Sequence, residues 1–160
     1  MVVLKIWIKL IKLHFSTYKN DKKKFNGGVY MTVSNIKVTF PHDIKKVWDI
    51  VTSLENYSWR SDLSKIAILN ENQFVEYTKD GYVTTFNITS CEEYKRWEFD
   101  MENSNMTGHW IGIFSYQNGT TTIDFTENVT TKKLLMKPFV GMYLKKQQGT
   151  YVSDLKKELG

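Results

Sequence analysis

The sequence predicts an α+β domain in which a curved antiparallel β-sheet wraps around a long C-terminal α-helix, with another helix inserted after the first strand. Three observations predict it. Beyond residue 30, apolar residues recur at helical spacing in two segments, 41–57 and 138–159; from Lys65 onward, between them, they recur with period two; and that middle stretch is cut at regular intervals by short turn signals.

Residues 33–40, "VSNIKVTF", read as the first strand. In "PHDIKKVWDIVTSLENY" the apolar positions 44, 47, 48, 51 and 54 lie on one helical face, with Pro41 in the first turn and an acid near the start. A meander of six strands follows, its turns expected at Glu71-Asn72, Asp80-Gly81, Glu92-Glu93, Asn103-Ser104 and Asn118-Gly119. Asp-Gly and Asn-Gly are the strongest of these, because a type I′ turn needs positive φ at both central residues.

Two-residue turns fix which residues face one another, and opposed residues share a face of the sheet. Around Asn118-Gly119 this sets Phe114 opposite Ile123, Gly112 opposite Phe125 and Trp110 opposite Glu127. Carried back along the chain it pairs Trp97 with Trp110, Phe99 with Gly108, Phe86 with Phe99, Val75 with Phe86 and Tyr77 with Thr84. One face then collects nearly all the large apolar side chains, with Glu127 among them.

The last segment has apolar residues at 139, 140, 143, 144, 151, 152, 155 and 159, interrupted by "KKQQGT" at 145–150. With Gly108 and Gly112 on the inner face of the sheet, that interruption points to an internal cavity between sheet and helix.

Charge and composition exclude several classes. The net charge is +5, but residues 1–30 carry seven lysines and one acid, a balance of +6, which leaves 5 − 6 = −1 for residues 31–160. A body so nearly neutral, with Arg60 and Arg96 as its arginines, is not a nucleic-acid-binding surface. Cys91 stands alone and cannot form an internal disulfide, and His14, His42 and His109 lack metal-ligand spacing. No metal or cofactor is expected.

"MVVLKIWIKLIKLHF", residues 1–15, places Lys5, Lys9 and Lys12 on one helical stripe among apolar residues. It is shorter than the roughly 20 residues that span a bilayer. Three readings of residues 1–30 stay open. The first is a helix lying on an anionic membrane surface, followed by a basic linker, which would hold a cytoplasmic protein at the inner membrane face. The second is a helix packed on the domain. The third is a mis-assigned start: Asn26-Gly27-Gly28 can be encoded by a run containing GGAGG, as in a translated bacterial ribosome-binding site, with the natural start at Met31.

The strand, the helix with "VWDIVTSLENYSWRSDLSKI" (47–66), the meander with "GHWIGIFSYQNGTTTIDFTENV" (108–129) and the terminal "PFVGMYLKKQQGTYVSDLKKEL" (138–159) together resemble the SRPBCC group of helix-grip proteins. That superfamily includes START lipid-transfer domains and the polyketide cyclase/dehydrase and lipid-transport proteins. The resemblance covers residues 31–160 and implies a helix-grip fold with a ligand held between the concave sheet and the terminal helix. The matching inward positions are Tyr77, Phe86, Trp97, Phe99, Trp110, Phe125 and Glu127 on the sheet, with Tyr143, Gln147 and Tyr151 on the helix. It implies no catalytic motif, because the superfamily has none in common.

The expected function is binding or transport of a hydrophobic or amphipathic small molecule without catalysis. Two alternatives are a cyclase- or dehydrase-like enzyme with Glu127 as general base and Tyr77 or Tyr143 as donor, and a ligand-free regulatory module with a closed core. Glu127 itself reads two ways, as a buried carboxylate with a raised pKa or as a solvated strand end. The aromatic set reads first as core and second as ligand wall. His109, of opposite parity to Trp110, points outward. Trp59 is read as capping the core, with Arg60 in a surface ion pair of small energetic value or, with Asp62, in a polar gate over the cavity.

Overall fold

A computed structural model of the chain describes residues 31–160; residues 1–30, with the expectations attached to them, lie outside the described residues. The elements run β1 (Met31–Phe40), α1 (Ile44–Thr52), β2 (Leu63–Asn70), β3 (Gln73–Thr78), β4 (Val83–Glu92), β5 (Arg96–Glu102), β6 (Met106–Gln117), β7 (Thr120–Thr131), a 3-10 turn (Leu134–Met136) and α2 (Lys137–Leu159). The strands form one antiparallel sheet in the order β1-β7-β6-β5-β4-β3-β2, so the first strand pairs with the last. The α+β helix-grip architecture expected from the sequence is the one observed.

Pro41 lies just before α1 rather than in its first turn. Asp43 is the N-cap, and its carboxylate accepts from the Lys45 amide at 2.8 Å, satisfying one of the donors that a helix start leaves open. Val47, Trp48 and Val51 are the buried face. They pack into the main core with Phe40, Phe114, Ile123, Phe125, Leu155 and Leu159.

The β6–β7 hairpin has the expected register: Phe114 opposes Ile123, Gly112 opposes Phe125 and Trp110 opposes Glu127. Asn118 and Gly119 both adopt positive φ, as a type I′ turn requires. The register of the other strands needs correction. Between β5 and β6 the turn is longer than expected, so Phe99, not Trp97, opposes Trp110, and Met101 opposes Gly108. That shift is two residues and leaves every side chain on its expected face. The β4–β5 turn is Glu93-Tyr94-Lys95, with Tyr94 at φ 61°. An odd loop would turn β4 over, but the register shift between Ile88 and Ser90 restores the face of Ile88 and Phe86, which oppose Phe99 and Met101.

Between β3 and β4 no bulge compensates. Thr78 N donates to Tyr82 O at 2.9 Å and Gly81 has φ +86°, a three-residue loop with glycine in the left-handed position. Phe74 therefore opposes Phe86, and Tyr77 opposes Val83. One residue of slip exchanges the faces of β3, bringing Phe74 and Glu76 inside and turning Val75 and Tyr77 outside.

α2 packs chiefly along β1, with further contact to β7. Its buried stripe is Val140, Leu144, Gln148, Val152, Leu155 and Leu159. The stripe is not broken at "KKQQGT" but carries one polar residue there. Ser34 Oγ donates to Gln148 Oε1 at 2.8 Å, and Gln148 Nε2 donates to Ser34 O at 3.3 Å, so the pair is buried and mutually satisfied.

The two ends of the sheet differ. At one pole lie α1, the β6–β7 turn and the C-terminal end of α2, where Lys46 Nζ reaches Leu159 O at 2.7 Å. At the other lie the β3–β4 and β5–β6 loops, the 3-10 turn and the start of α2. There a small cluster of Val129, Val140 and Leu144, with Met106 packed against it, is separate from the main core.

Candidate functional site

Glu127 lies on the inner face of β7 between Ser34 of β1 and Trp110 of β6. It is 8% exposed. Neither neighbour supplies a donor: the Ser34 hydroxyl is used by Gln148, and Trp110 turns its ring away along the sheet. Burial is the cause of the carboxyl's raised pKa, pushed up to about 7 from 4.5, with no charge or hydrogen bond contributing. Among the described residues the fully enclosed side-chain polar atom without a partner is Trp59 Nε1. The Glu127 oxygens, also unpartnered, therefore still meet open space.

The glycines beside Glu127 do not leave a void as the sequence reading expected. A Cβ on Gly112 would stand 2.4 Å from Trp110 Cη2 and 2.7 Å from its Cζ3, so the indole occupies the space the glycine leaves. A Cβ on Gly108 would meet Asn128 O at 2.9 Å and Met101 Cγ at 3.2 Å. Both glycines serve close packing.

Trp110 stacks on Phe99 with ring centroids 4.8 Å apart and meets Phe125 at 4.6 Å and Trp97 at 6.0 Å. Phe86 stacks on Phe74 at 4.7 Å and meets Phe99 edge-on at 5.1 Å. Phe86, Trp97, Phe99 and Phe125 are thus buried core that walls the site from below, while Trp110 is half-buried at the boundary. Tyr151 of α2 sits edge-on to Phe125 and to Trp59, at 5.6 and 5.1 Å.

Tyr143 and Gln147 lie eight and four residues before Tyr151 and so share its helical stripe. Gln147 is half-buried, and Tyr143 is 44% exposed. Partial burial first, then the Glu127 carboxylate and the nearby Tyr82, Asp62 and Asp80, push the Tyr143 hydroxyl up to about 12. Those neighbours place Tyr143 between Glu127 and the β3–β4 loop, at the open pole.

Tyr77 does not belong to this site. The β3 slip puts it on the outer face, where Lys65 Nζ lies 5.6 Å from its ring centroid. Glu76 takes the inner position instead, and with it comes a polar cluster the sequence did not reveal.

Arg60 is buried rather than at the surface. Its Nε and Nη2 donate to the two Asp62 carboxylate oxygens, each at 2.9 Å; its Nη1 is 3.5 Å from Glu76 Oε1; and its Cζ is 4.8 Å from the Tyr151 ring centroid. Burial opposes the guanidinium charge, but Glu76 and Asp62 outweigh it and raise its pKa. Burial likewise raises Glu76 against the pull of Arg60. The connection carrying Arg60 is tied to α2 through Ser61, whose amide and hydroxyl donate to Asp154 Oδ2 at 2.8 and 2.5 Å. Burial works against the Asp154 charge, yet these bonds hold its carboxyl below the usual range.

Elsewhere, His109 points outward as expected, its Nδ1 2.7 Å from Asp100 Oδ1. A hollow of about 610 Å³ lined by Thr39, Ser115, Tyr116, Gln117, Asn118, Thr120 and Thr122 lies by the β6–β7 turn. It opens on the outer face at the pole opposite Glu127, and its Thr39 and Thr122 hydroxyls are paired at 2.8 Å. Its lining holds no buried side chain and no carboxylate or cation, so the candidate site stays at Glu127. No described helix is long and apolar enough to cross a membrane.

No protein-family model matches the chain, and no curated protein matches it in sequence. Solved structures match its shape. A START superfamily protein from Mycobacterium smegmatis superposes with TM-score 0.72 at 12% identity, over 79% of this chain and 95% of that one. The Zhui aromatase/cyclase from Streptomyces sp. R1128 gives 0.69 at 12% identity, over 81% and 93%. Ara h 8.0201 gives 0.65 at 14% identity, over 81% and 97%. Identities this low speak to fold alone. With its sheet order, its helix after β1 and its long terminal helix, the chain has the helix-grip fold of the SRPBCC and START-like proteins.

Proposed function

We propose that the chain binds a hydrophobic or amphipathic small molecule between the concave sheet and α2, without catalysis. The observation that carries this reading is Glu127: a buried carboxylate on the inner face, unpartnered among the described residues, beside a half-exposed tyrosine and a half-buried tryptophan. A fold keeps an unpaired buried carboxyl at a cost unless something else completes its hydrogen bonding. Apolar burial against Trp110 and Tyr143 would supply affinity, and Glu127, with Gln147 and Tyr151, the selectivity. The shape shared with a START superfamily protein supports a cavity in this place.

In the same reading, residues 1–30 are a basic amphipathic extension to a domain spanning 31–160, with residues 1–15 held at the anionic inner face of a membrane where such ligands reside. Mass spectrometry of solvent extracts from residues 1–160 and 31–160, each purified without denaturation from a bacterial host, tests both points. A near-stoichiometric hydrophobe in both supports the carrier reading. Lipid in the longer chain alone assigns the membrane contact to the extension. Two empty proteins count against the carrier.

A second reading is favoured by one observation, the Glu127 carboxyl at about 7 with Tyr143 within its field. A carboxyl titrating near neutrality suits a general base, and a phenol held protonated beside it can donate a hydrogen bond; a solved neighbour is an aromatase/cyclase. Glu127→Gln separates the two. A carrier keeps most of its binding, whereas an enzyme keeps its ligand and loses turnover.

A further inference from the structure

The groups around Glu127 also restrict the charge of the molecule it meets. Across the sheet its lateral neighbours are Ser34 of β1 and Trp110 of β6, one with its hydroxyl committed and the other turned away along the sheet. From α2 comes Tyr143, and beyond Tyr143 stand Tyr82, Asp62 and Asp80. These are carboxylates and phenols.

Arg60 is the cation among them, and it is saturated. Three of its nitrogens face Asp62 and Glu76, and the Tyr151 ring covers its plane. With Asp62 and Glu76 both held against it, the guanidinium has no face left for a further anion. Lys65 stands over Tyr77 on the outer face, and Lys132 is bound to Glu102 at 2.6 Å. No cation contributes to the state of Glu127.

An anionic head group brought to this place would meet like charge and find no free guanidinium to compensate it. A head group that donates hydrogen bonds would complete Glu127. Resting on the binding reading above, we infer that the ligand is an apolar molecule whose polar end is an amine or a hydroxyl, not a carboxylate or phosphate, and that this end is seated on Glu127. The inference separates an alkylamine or an alcohol from a fatty acid, which the apolar wall alone would accept equally well.

The test is displacement of the neutral fluorophore N-phenyl-1-naphthylamine from the full chain at pH 8, where Glu127 is ionised. The competitors share one chain length: dodecylamine, dodecanol and dodecanoate, each below its solubility or micelle limit. Dodecylamine is expected to displace the probe at a concentration at least about tenfold below that of dodecanoate, with dodecanol between them. Glu127→Gln changes the net charge by only one, so a loss of the preference in that variant is local to Glu127 rather than an effect of the protein's overall field. In Glu127→Gln the difference between amine and carboxylate should shrink to within about threefold.

Dodecanoate as strong as dodecylamine on the unsubstituted chain overturns the inference while leaving a binding cavity in place. A probe that binds and an order unchanged in Glu127→Gln overturns the assignment to Glu127. Failure of the probe and of all three chains to bind overturns the cavity reading and this one together.

Discussion

At the C-terminal end of α2, Leu155 and Leu159 are enclosed with Phe40, Val47, Trp48, Phe114 and Ile123, and α1 closes that pole of the sheet. At the N-terminal end of the same helix, Met142 and Tyr143 remain exposed, and the inner β7 group that acts on Tyr143 is a carboxylate. One helix thus spans a finished core and an unfinished one. The difference teaches where stability and recognition reside: the enclosed pole holds the fold, which leaves the other free to keep an unpaired acid and incompletely covered aromatics.

The comparison is most sharply tested by truncating one residue at each pole. Leu155 is 0% exposed and Met142 is 60% exposed. Leu155→Ala should cost about 2–5 kcal/mol, because the cavity opens in a close-packed region, whereas Met142→Ala should stay within about 0.5 kcal/mol. Urea denaturation followed by tryptophan fluorescence measures both. Equal costs would mean the open pole is packed by something beyond residues 31–160.

Glu127→Gln tests the unfinished pole by pH. The carboxyl's pKa is raised by burial to about 7 from 4.5, so between those values the folded state holds a proton that the unfolded state has lost. The burden on the fold is absent below pH 4.5, grows as pH rises, and is complete above pH 7, where it amounts to about 3 kcal/mol. The glutamine variant should therefore match the unsubstituted chain near pH 4.5 and exceed it at pH 8 by up to that amount. Urea midpoints at the two pH values decide it. A difference that does not change with pH would mean Glu127 is solvated or paired.

The parts of this contrast legible in the sequence are those set by short-range rules. Asn118-Gly119 fixed its hairpin because a two-residue turn with positive φ has one register, and Glu127 came out on the inner face by that route. Helical spacing gave α2 to within a residue at its start, but ran α1 five residues past its end at Thr52. What escaped were loop lengths. Asp80-Gly81 is equally at home in a two-residue or a three-residue loop, and the choice of the longer one exchanged Tyr77 for Glu76 on the inner face. Arg60 followed, since a buried guanidinium is intelligible only once Glu76 is known to point inward.

The notion of a cavity was reached from observations that turned out to mean something else. Gly112 makes room for Trp110, a close approach that sequence cannot tell from an empty space. Gln148 fills its place on α2 by pairing with Ser34, a contact 114 residues away in the chain. Within the chain the unpaired Glu127 now carries the idea, which is a stronger basis because a buried carboxyl without a partner calls for one.

Gly149 marks the step between the two halves of α2 and gives the smallest of the expected gains. A sequence reader takes it for part of a gap over the sheet, yet it is exposed, and a Cβ there would have nothing within 4 Å. Its neighbour Gln148 is the residue turned inward. A glycine inside a helix with free space around it costs only backbone entropy and helix propensity, so Gly149→Ala should raise stability by about 1 kcal/mol. It should leave displacement of N-phenyl-1-naphthylamine unchanged, because the added methyl points to solvent. A gain in stability with weakened probe binding would mean that ligand entry needs α2 to flex at this point. The open pole would then be a moving part of the helix, and not simply its less covered end.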